Sequence, residues 1–159
     1  MTERLKKIAA RADLRPTREE EVWYILGWLR SRWDGWNGFW GNRNLFFKAH
    51  ENSELFVRTE PEDYDDLIDH DEWPIAVLMV SDRYDTVTLD IVEVVRSEWR
   101  KGIAYSMLKP FVEAMDAGEI EALEADAATD EGLALLHKLG FTKIERRDKY
   151  EYLPKDDQA

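Results

Sequence analysis

The sequence predicts a mixed α/β (α+β) fold, and three observations in the second half of the chain predict it. An apolar run at 74–80 and a β-branched run at 86–95 flank a short polar turn, which predicts an antiparallel hairpin. Two segments of helical period follow, after Gly102 and after Thr129, and the alternating segment 119–127 between them predicts a further strand. The 159 residues are enough for one self-sufficient core, so a single domain, 1–159, is predicted.

The composition excludes several classes of protein. Hydrophobic residues make up 44% of the chain and cysteine is absent, so we expect a folded protein without disulfides, thiolate metal sites or a cysteine nucleophile. The formal net charge of −12 disfavours nucleic acid and favours a cationic partner or substrate, although adaptation to high salt would give the same charge. No segment has the pattern of a secretion signal or a membrane span, so a cytoplasmic protein without membrane contact is predicted.

Two helices are predicted in the N-terminal part of the chain. Residues 3–12 have a weak helical pattern and are expected to form a short, exposed helix. A capping box formed by Thr17 and Glu20 predicts the start of a clearer helix. This second helix is expected to end near Trp33, where an Asp-Gly pair follows.

The segment 33–44 is rich in glycine, asparagine and large aromatic residues, which predicts a loop. Its rings either cap the core or form an aromatic wall for an acceptor, and their faces would attract a cationic acceptor. The residues given this substrate-binding role are Trp33, Trp36 and Trp40. Two strands around a turn are then predicted at 45–49 and 54–60.

The segment 60–73 contains eight acidic residues and one histidine. A charge run of this kind forms either a solvated loop or an electrostatic funnel for an amine-bearing substrate. The three histidines of the chain lack the spacing that places two metal ligands on one helix face. No metal site is therefore predicted.

The stretch 94–108 joins the long strand to a helix through a basic turn that contains Gly102. A strand that ends in such a turn directs several backbone N–H groups and the positive end of a helix dipole at one point, which favours a phosphate. A plain basic turn on an acidic surface is the alternative. Farther along, Thr129 is predicted to cap a helix that ends at Gly140. Two strands and a frayed tail are expected last, at 141–148, 150–154 and 155–159.

From about residue 54 to residue 153 the sequence resembles the GCN5-related N-acetyltransferase (GNAT) superfamily. The turn in 94–108 resembles the superfamily's (Arg/Gln)-x-x-Gly-x-(Gly/Ala) signature, and LALLHKLGF at 133–141 resembles its helix ending in Leu-Gly-Phe. The resemblance implies a GNAT-like fold with a mostly antiparallel sheet flanked by helices. In that fold one strand splays from its neighbour, and the turn after it binds the pyrophosphate of acyl-coenzyme A. Residues 1–53 would precede this acyl-coenzyme A-binding core, 54–153.

The same resemblance implies an acyl-coenzyme A-dependent N-acyltransferase with acetyl-coenzyme A as co-substrate. Its acceptor would be a small-molecule or peptide amine, and a homodimer is one candidate assembly. The residues that would bind the co-substrate are Val94, Val95, Arg96, Arg100, Lys101, Gly102, Ile103, Ala104, Tyr105 and Thr129.

Two positions depart from the superfamily's pattern. Trp99 stands three residues before Gly102, where the signature has Arg or Gln, and Arg100 reaches that position only if the turn is one residue shorter. Leu136 stands where many members have the tyrosine that protonates the departing thiolate. The sources left for that proton are Tyr105, Tyr84, His137 and water.

Acyl transfer also needs a base for the amine and a donor for the thioester carbonyl. By resemblance, the donor is a backbone N–H near Val94 or its C-terminal neighbour. Glu93 is the first choice for the catalytic base, because strict alternation places it on a face with Leu89, Ile91 and Val95, where burial raises the pKa of a carboxylate. Asp90, on the other face, is the second choice and a candidate acceptor contact, and a bulge would exchange the faces. Exposure of both acids to solvent is the alternative.

Two other functions remain open. The missing tyrosine and Trp99 favour a GNAT-fold protein with little or no catalysis that binds a partner through its aromatic loop and acidic surface. The acidity also admits a mimic of nucleic acid.

Overall fold

A seven-stranded sheet forms the centre of the protein. The computed structural model describes residues 2–29, 35–60, 73–95, 98–126, 129–145, 147 and 149–154, and the side chains of residues 2, 35–42 and 60 lie outside this description. The strands are β1 (Arg15–Pro16), β2 (Leu55–Glu60), β3 (Trp73–Arg83), β4 (Thr86–Val94), β5 (Ala122–Ala125), β6 (Thr142–Lys143) and β7 (Tyr150–Tyr152). Their order is β1-β2-β3-β4-β5-β7-β6, and the neighbours are antiparallel except for β4 and β5, which are parallel.

Helices cover both faces of this sheet. They are α1 (Thr2–Ala10), α2 (Glu19–Leu29), α3 (Gly35–Glu51), α4 (Ile103–Asp116) and α5 (Asp130–Leu139). Side chains of α1, α4 and α5 share one buried apolar cluster with Leu78 of β3. Side chains of α2 and α3 share a second cluster with Val77, the preceding residue of the same strand. Because successive strand residues point to opposite faces, β3 contributes to two cores, and the predicted mixed α/β fold is confirmed.

The predicted hairpin of β3 and β4 is present, but it contains a bulge. Met79 is opposite Ile91, whereas the next residue of β3, Val80, is opposite Leu89. Asp90 is therefore an extra residue in β4, and an extra residue reverses the alternation of the side chains that follow it.

This bulge overturns the predicted grouping of side chains on β4. Leu89 and Val94 belong to the cluster beneath α4, and Val95 packs against that cluster. Ile91 packs instead against the cluster beneath α2 and α3. Glu93, two residues after Ile91, thus shares a face with Ile91 and not with Leu89 or Val95, because the alternation changes at Asp90.

The loop predicted at 33–44 and the strand predicted at 45–49 are wrong wherever the structure describes them, because α3 runs from Gly35 to Glu51. Glycine and asparagine are poor helix formers, so propensity alone disfavours this helix. Phe46 and Ala49, three residues apart, are nevertheless buried against the sheet. Burial of this helical stripe overrides the local propensity.

Other N-terminal predictions also need correction. α1 is not an exposed helix, because Leu5, Ile8 and Ala9 are buried at helical spacing. The predicted capping box is displaced by one residue: the Thr17 hydroxyl donates to the carbonyl of Leu55 at 3.3 Å, and the Glu21 carboxylate accepts the Arg18 N–H at 2.8 Å. The short strand β1 was not predicted, and β5, β6 and β7 are shorter than expected.

The N-terminal helix is fastened to the sheet by an ion pair whose loss we expect to be costly. Arg4 donates to both carboxylate oxygens of Asp82, at 3.0 and 2.8 Å, and Asp82 is only 5% exposed. Arg4→Ala would leave this buried carboxylate without its guanidinium, so we expect the free energy of unfolding to fall by about 2 kcal/mol. Urea denaturation measures this loss. Arg11→Ala is the control, because Arg11 and Glu119 form a solvent-exposed pair whose loss should lower the free energy of unfolding by less. Equal losses in the two variants would contradict the prediction.

Candidate functional site

A cleft opens where β4 and β5 part. In the described part of the chain, the two strands pair only from Thr86 with Ala122 to Leu89 with Ala125, and β4 then continues to Val94. The space beyond this pairing is a cleft of about 690 Å³ between the end of β4, the first turn of α4 and one face of α5. Its lining residues are Val92, Glu93, Val94, Glu98, Trp99, Arg100, Gly102, Ile103, Ala104, Tyr105, Thr129, Glu131, Gly132, Leu135 and Lys138.

The N-terminus of α4 faces this cleft. Its N-cap residue, Gly102, has φ +75° and provides no side-chain cap. The first backbone N–H groups of a helix have no partner within the helix, so those of Ile103, Ala104 and Tyr105 are donors toward the cleft. Arg100, with φ +67°, is also left-handed, and a turn with such residues directs backbone N–H groups inward. The turn is thus suited to an anion.

Trp99 fastens this turn to β4. Its indole Nε1–H donates to the carbonyl of Val94 at 2.7 Å. The backbone N–H of Glu98 donates to the carbonyl of Val95 at 2.9 Å, and the Glu98 carboxylate accepts from Lys101 Nζ at 2.7 Å. Trp99, which stands where the GNAT signature has Arg or Gln, therefore holds the turn in place by its hydrogen bond to β4. The charge of Lys101 is paired with the carboxylate of Glu98.

The backbone N–H groups of Val94 and Val95, the two candidates for the hydrogen bond to the thioester carbonyl, point in different directions. The N–H of Val95 donates to the carbonyl of Ile75 in the neighbouring strand, at 2.8 Å. Because N–H groups alternate between the two edges of a strand, the N–H of Val94 points toward the open side of β4. Val94 is therefore the better placed of the two for a ligand in the cleft.

The two candidate bases differ in their surroundings. Glu93 lines the cleft, next to Val94. Asp90 is half-buried at the bulge, where burial raises the pKa of its carboxyl. A hydrogen bond with Ser81 opposes that rise, whereas the charge of Asp126 adds to it.

Several residues considered as proton sources or contacts are now located. Tyr105 and Thr129 both line the cleft, and the Thr129 hydroxyl caps α5 by accepting the Gly132 N–H at 3.0 Å, as predicted. Tyr84 is 97% exposed in the turn of the hairpin, and neither it nor His137 lines the cleft. Leu136 is buried and lines a small apolar cavity of about 30 Å³ between β4 and α5.

Other predicted site residues lie outside the described part of the chain. Arg96 and Trp33 are among these, as is the acidic segment from 61 to 72. Trp36 and Trp40 belong to α3 by their backbone, and their side chains are not described.

Six residues of the cleft were not predicted, namely Val92, Glu98, Glu131, Gly132, Leu135 and Lys138. Four of them belong to α5, where Glu131, Leu135 and Lys138 stand at i, i+4 and i+7 on a single helix face. That spacing was readable from the sequence. Leu136, which stands at the position of the superfamily's tyrosine, is buried instead.

Neither a metal site nor a membrane-spanning helix occurs in the parts of the chain that the structure describes. No group of three or more His, Asp or Glu side chains there could hold a metal ion. No helix there combines the length and the apolar character needed to cross a bilayer.

The raised pKa of Asp90 predicts a pH-dependent cost to folding. A carboxyl with a raised pKa binds its proton more tightly in the folded state, so its charged form destabilises the fold above that pKa. We expect Asp90→Asn to be more stable than the wild type at pH 7. The difference should shrink as the pH falls toward the ordinary aspartate value of about 4. Urea denaturation at both pH values tests this, with Asp85→Asn in the exposed turn as control. Lower stability of Asp90→Asn at pH 7 would contradict the prediction.

Comparison with known proteins shows a shared fold. No protein-family model matches the chain, and no curated protein matches it. Arabidopsis thaliana NAA60 in complex with a bisubstrate analogue is 12% identical, over 89% of this chain and 97% of that one, with a TM-score of 0.62. The NatC complex bound to Gag peptide and CoA is 13% identical, over 89% and 96%, with a TM-score of 0.58. Ard1 from Thermoplasma volcanium is 11% identical, over 87% and 93%, with a TM-score of 0.58.

These similarities confirm the predicted resemblance at the level of the fold. The chain has the fold of the GNAT superfamily, with the splayed pair β4 and β5 at its centre.

Proposed function

We propose that the protein is an acyl-coenzyme A-dependent N-acyltransferase that acts on an amine acceptor. The observation that carries the proposal is the N-terminus of α4, which faces a cleft beside the open edge of β4 without a side-chain cap. Backbone N–H groups in this arrangement suit a pyrophosphate, and the apolar walls beyond them suit a pantetheine chain. Structures with this fold that contain CoA support the choice of ligand.

The residues of the cleft fit such a co-substrate. Acyl-coenzyme A supplies an activated thioester when bound. The N–H groups of Ile103, Ala104 and Tyr105 would hold its pyrophosphate, with Arg100 adding positive charge at the mouth. The open edge of β4 would hydrogen-bond the amides of the pantetheine chain, and Val92 and Leu135 would line its path.

Three roles follow for the chemistry. Glu93 would accept the proton that the amine loses on forming its bond to the acyl carbon. The N–H of Val94 would stabilise the negative charge that develops on the carbonyl oxygen. A water molecule would return a proton to the departing sulfur, because a buried leucine occupies position 136 and the pantetheine chain would separate the sulfur from Tyr105 at the pyrophosphate.

The amine would approach from the face covered by α2 and α3. Glu93 shares this face with Ile91, and Asp90 lies at the bulge beside it. Carboxylates favour a cationic amine. Two aromatic pairs also belong to this side, with Trp23 against Phe47 and Tyr24 against Trp73, each at 4.8 Å between ring centroids.

Two measurements test the proposal. Saturating acetyl-coenzyme A should raise the melting temperature by about 5 °C or more, because it binds the folded state alone. A thiol-release assay over a panel of small amines and peptides should then identify an acceptor. The absence of both a thermal shift and binding heat would refute the proposal.

A second candidate is a binding protein with little catalysis. The observation in its favour is the exposure of large rings on α2, where Trp23 is 50% and Tyr24 40% exposed. Coenzyme A binding without turnover on any acceptor in the thiol-release assay would favour this candidate.

A further inference from the structure

We propose that Lys138 and Lys109, whose ammonium groups both lie near the ring of Tyr105, form a subsite for a phosphomonoester, namely the 3′-phosphate of coenzyme A. This inference rests on the proposed function, since the subsite adjoins the cleft in which the co-substrate would bind. It assigns a role to two lysines that the chemistry of acyl transfer does not use.

The subsite is defined by two ammonium groups near one ring. Lys138 Nζ lies 4.8 Å from the centroid of the Tyr105 ring, and Lys109 Nζ lies 5.9 Å from the same centroid. Lys138 comes from the last turn of α5, and Lys109 stands one turn after Tyr105 on α4. Two separate helices thus each bring an ammonium group to the same ring, and both Tyr105 and Lys138 line the cleft.

Two lysines near one ring are unusual in a protein as acidic as this one. The chain has 34 acidic and 22 basic residues, and Arg4, Arg11 and Lys101 each bond a carboxylate. Within the described ranges, neither Lys109 nor Lys138 has a carboxylate oxygen within 4.0 Å. An anion near the Tyr105 ring would be attracted by both ammonium groups, whose charge the ring face compensates only partly.

The type of anion follows from the kind of donor. Each phosphate of a pyrophosphate diester carries one negative charge and suits the oriented N–H groups of the α4 N-terminus. A phosphomonoester carries nearly two negative charges at pH 7 and presents three acceptor oxygens. Lysine is a compact point charge on a flexible stem, which suits such a doubly charged group. Since the N–H groups of residues 103–105 serve the pyrophosphate, the lysines beside Tyr105 are placed for the remaining phosphate of the same molecule.

Calorimetric titration with coenzyme A and with 3′-dephospho-coenzyme A tests this inference. We expect the wild-type protein to bind coenzyme A about tenfold more tightly than the dephospho form, and the ratio should fall as salt is added. Lys138→Gln should reduce the ratio to less than about twofold and leave the affinity for the dephospho form unchanged. Lys109→Gln should reduce the ratio by a smaller factor, because Lys138 lines the cleft and Lys109 is not among its lining residues.

The control variant is Lys143→Gln, which removes an exposed lysine of β6 and should leave the ratio unchanged. The inference is overturned if the wild type binds both compounds equally, or if Lys138→Gln weakens both by the same factor. Either result leaves the proposed function intact, because coenzyme A still binds. If the wild type binds neither compound, the proposed function fails together with the subsite.

Discussion

Gly102→Val should weaken the binding of coenzyme A by about a hundredfold. Gly102 has φ +75°, a backbone conformation that a β-branched residue adopts only with strain. The turn would relax to relieve this strain, and the N–H groups of Ile103, Ala104 and Tyr105 would no longer converge. The loss of one or two hydrogen bonds to a charged phosphate accounts for a change of this size. Calorimetric titration with coenzyme A measures it.

Gly118→Val provides a matched control at the other end of α4. Gly118 has φ +76°, and a Cβ at either glycine would meet no atom within 4 Å. The two substitutions therefore impose similar backbone strain and similar losses of stability, but Gly118 lies about 20 Å along the helix from the cleft. We expect Gly118→Val to retain the wild-type affinity for coenzyme A. Equal weakening in both variants would show that the effect comes from stability rather than from the anion site.

Glu93→Gln should lower kcat about a hundredfold once an acceptor is known, because glutamine keeps the shape of the side chain and cannot accept the proton of the amine. The affinity for coenzyme A should not change, since the residues proposed for the pyrophosphate lie elsewhere in the cleft. Steady-state kinetics of thiol release, together with a coenzyme A titration, separate these two effects.

Asp90→Asn is the companion variant that decides between the two carboxylates. If Glu93 is the base, Asp90→Asn should mainly raise KM for a cationic amine, because Asp90 then contributes charge and not proton transfer. A hundredfold loss of kcat in Asp90→Asn, with little loss in Glu93→Gln, would reject Glu93 and make the bulge residue the base.

The sequence predicted the elements whose local and tertiary preferences agree. The hairpin of β3 and β4 has the β-branched and apolar composition of strands, and Thr129 and Gly140 bound α5 as helix caps. The sequence failed for α3, where glycine and asparagine disfavour a helix. Its formation depends on the burial of Phe46 and Ala49 against strands that are distant in the chain, and single-sequence periodicity does not register such contacts.

The candidate site was predictable to a similar degree. Gly102 and the residues after it could be placed at a phosphate-binding turn, because a strand, a glycine and a helix follow one another locally. The orientation of Glu93 could not be predicted. It depends on the bulge at Asp90, and nothing in the sequence marks Asp90 as a bulge residue. The approach of Lys109 and Lys138 to the ring of Tyr105 was not predicted either, because it brings together residues of two helices that are distant in the sequence.

The brief parallel pairing of β4 with β5 divides the sheet into two antiparallel halves, β1 to β4 and β5 to β7. Among the described residues, these halves pair as strands only from Thr86 with Ala122 to Leu89 with Ala125. A ligand whose own amides hydrogen-bond to the open edge of β4 would continue the pairing along this edge, as a short additional strand does. Occupation of the cleft should therefore slow amide hydrogen exchange in β5 and β7 as well as at the cleft, so that the smaller half of the sheet owes part of its rigidity to the ligand.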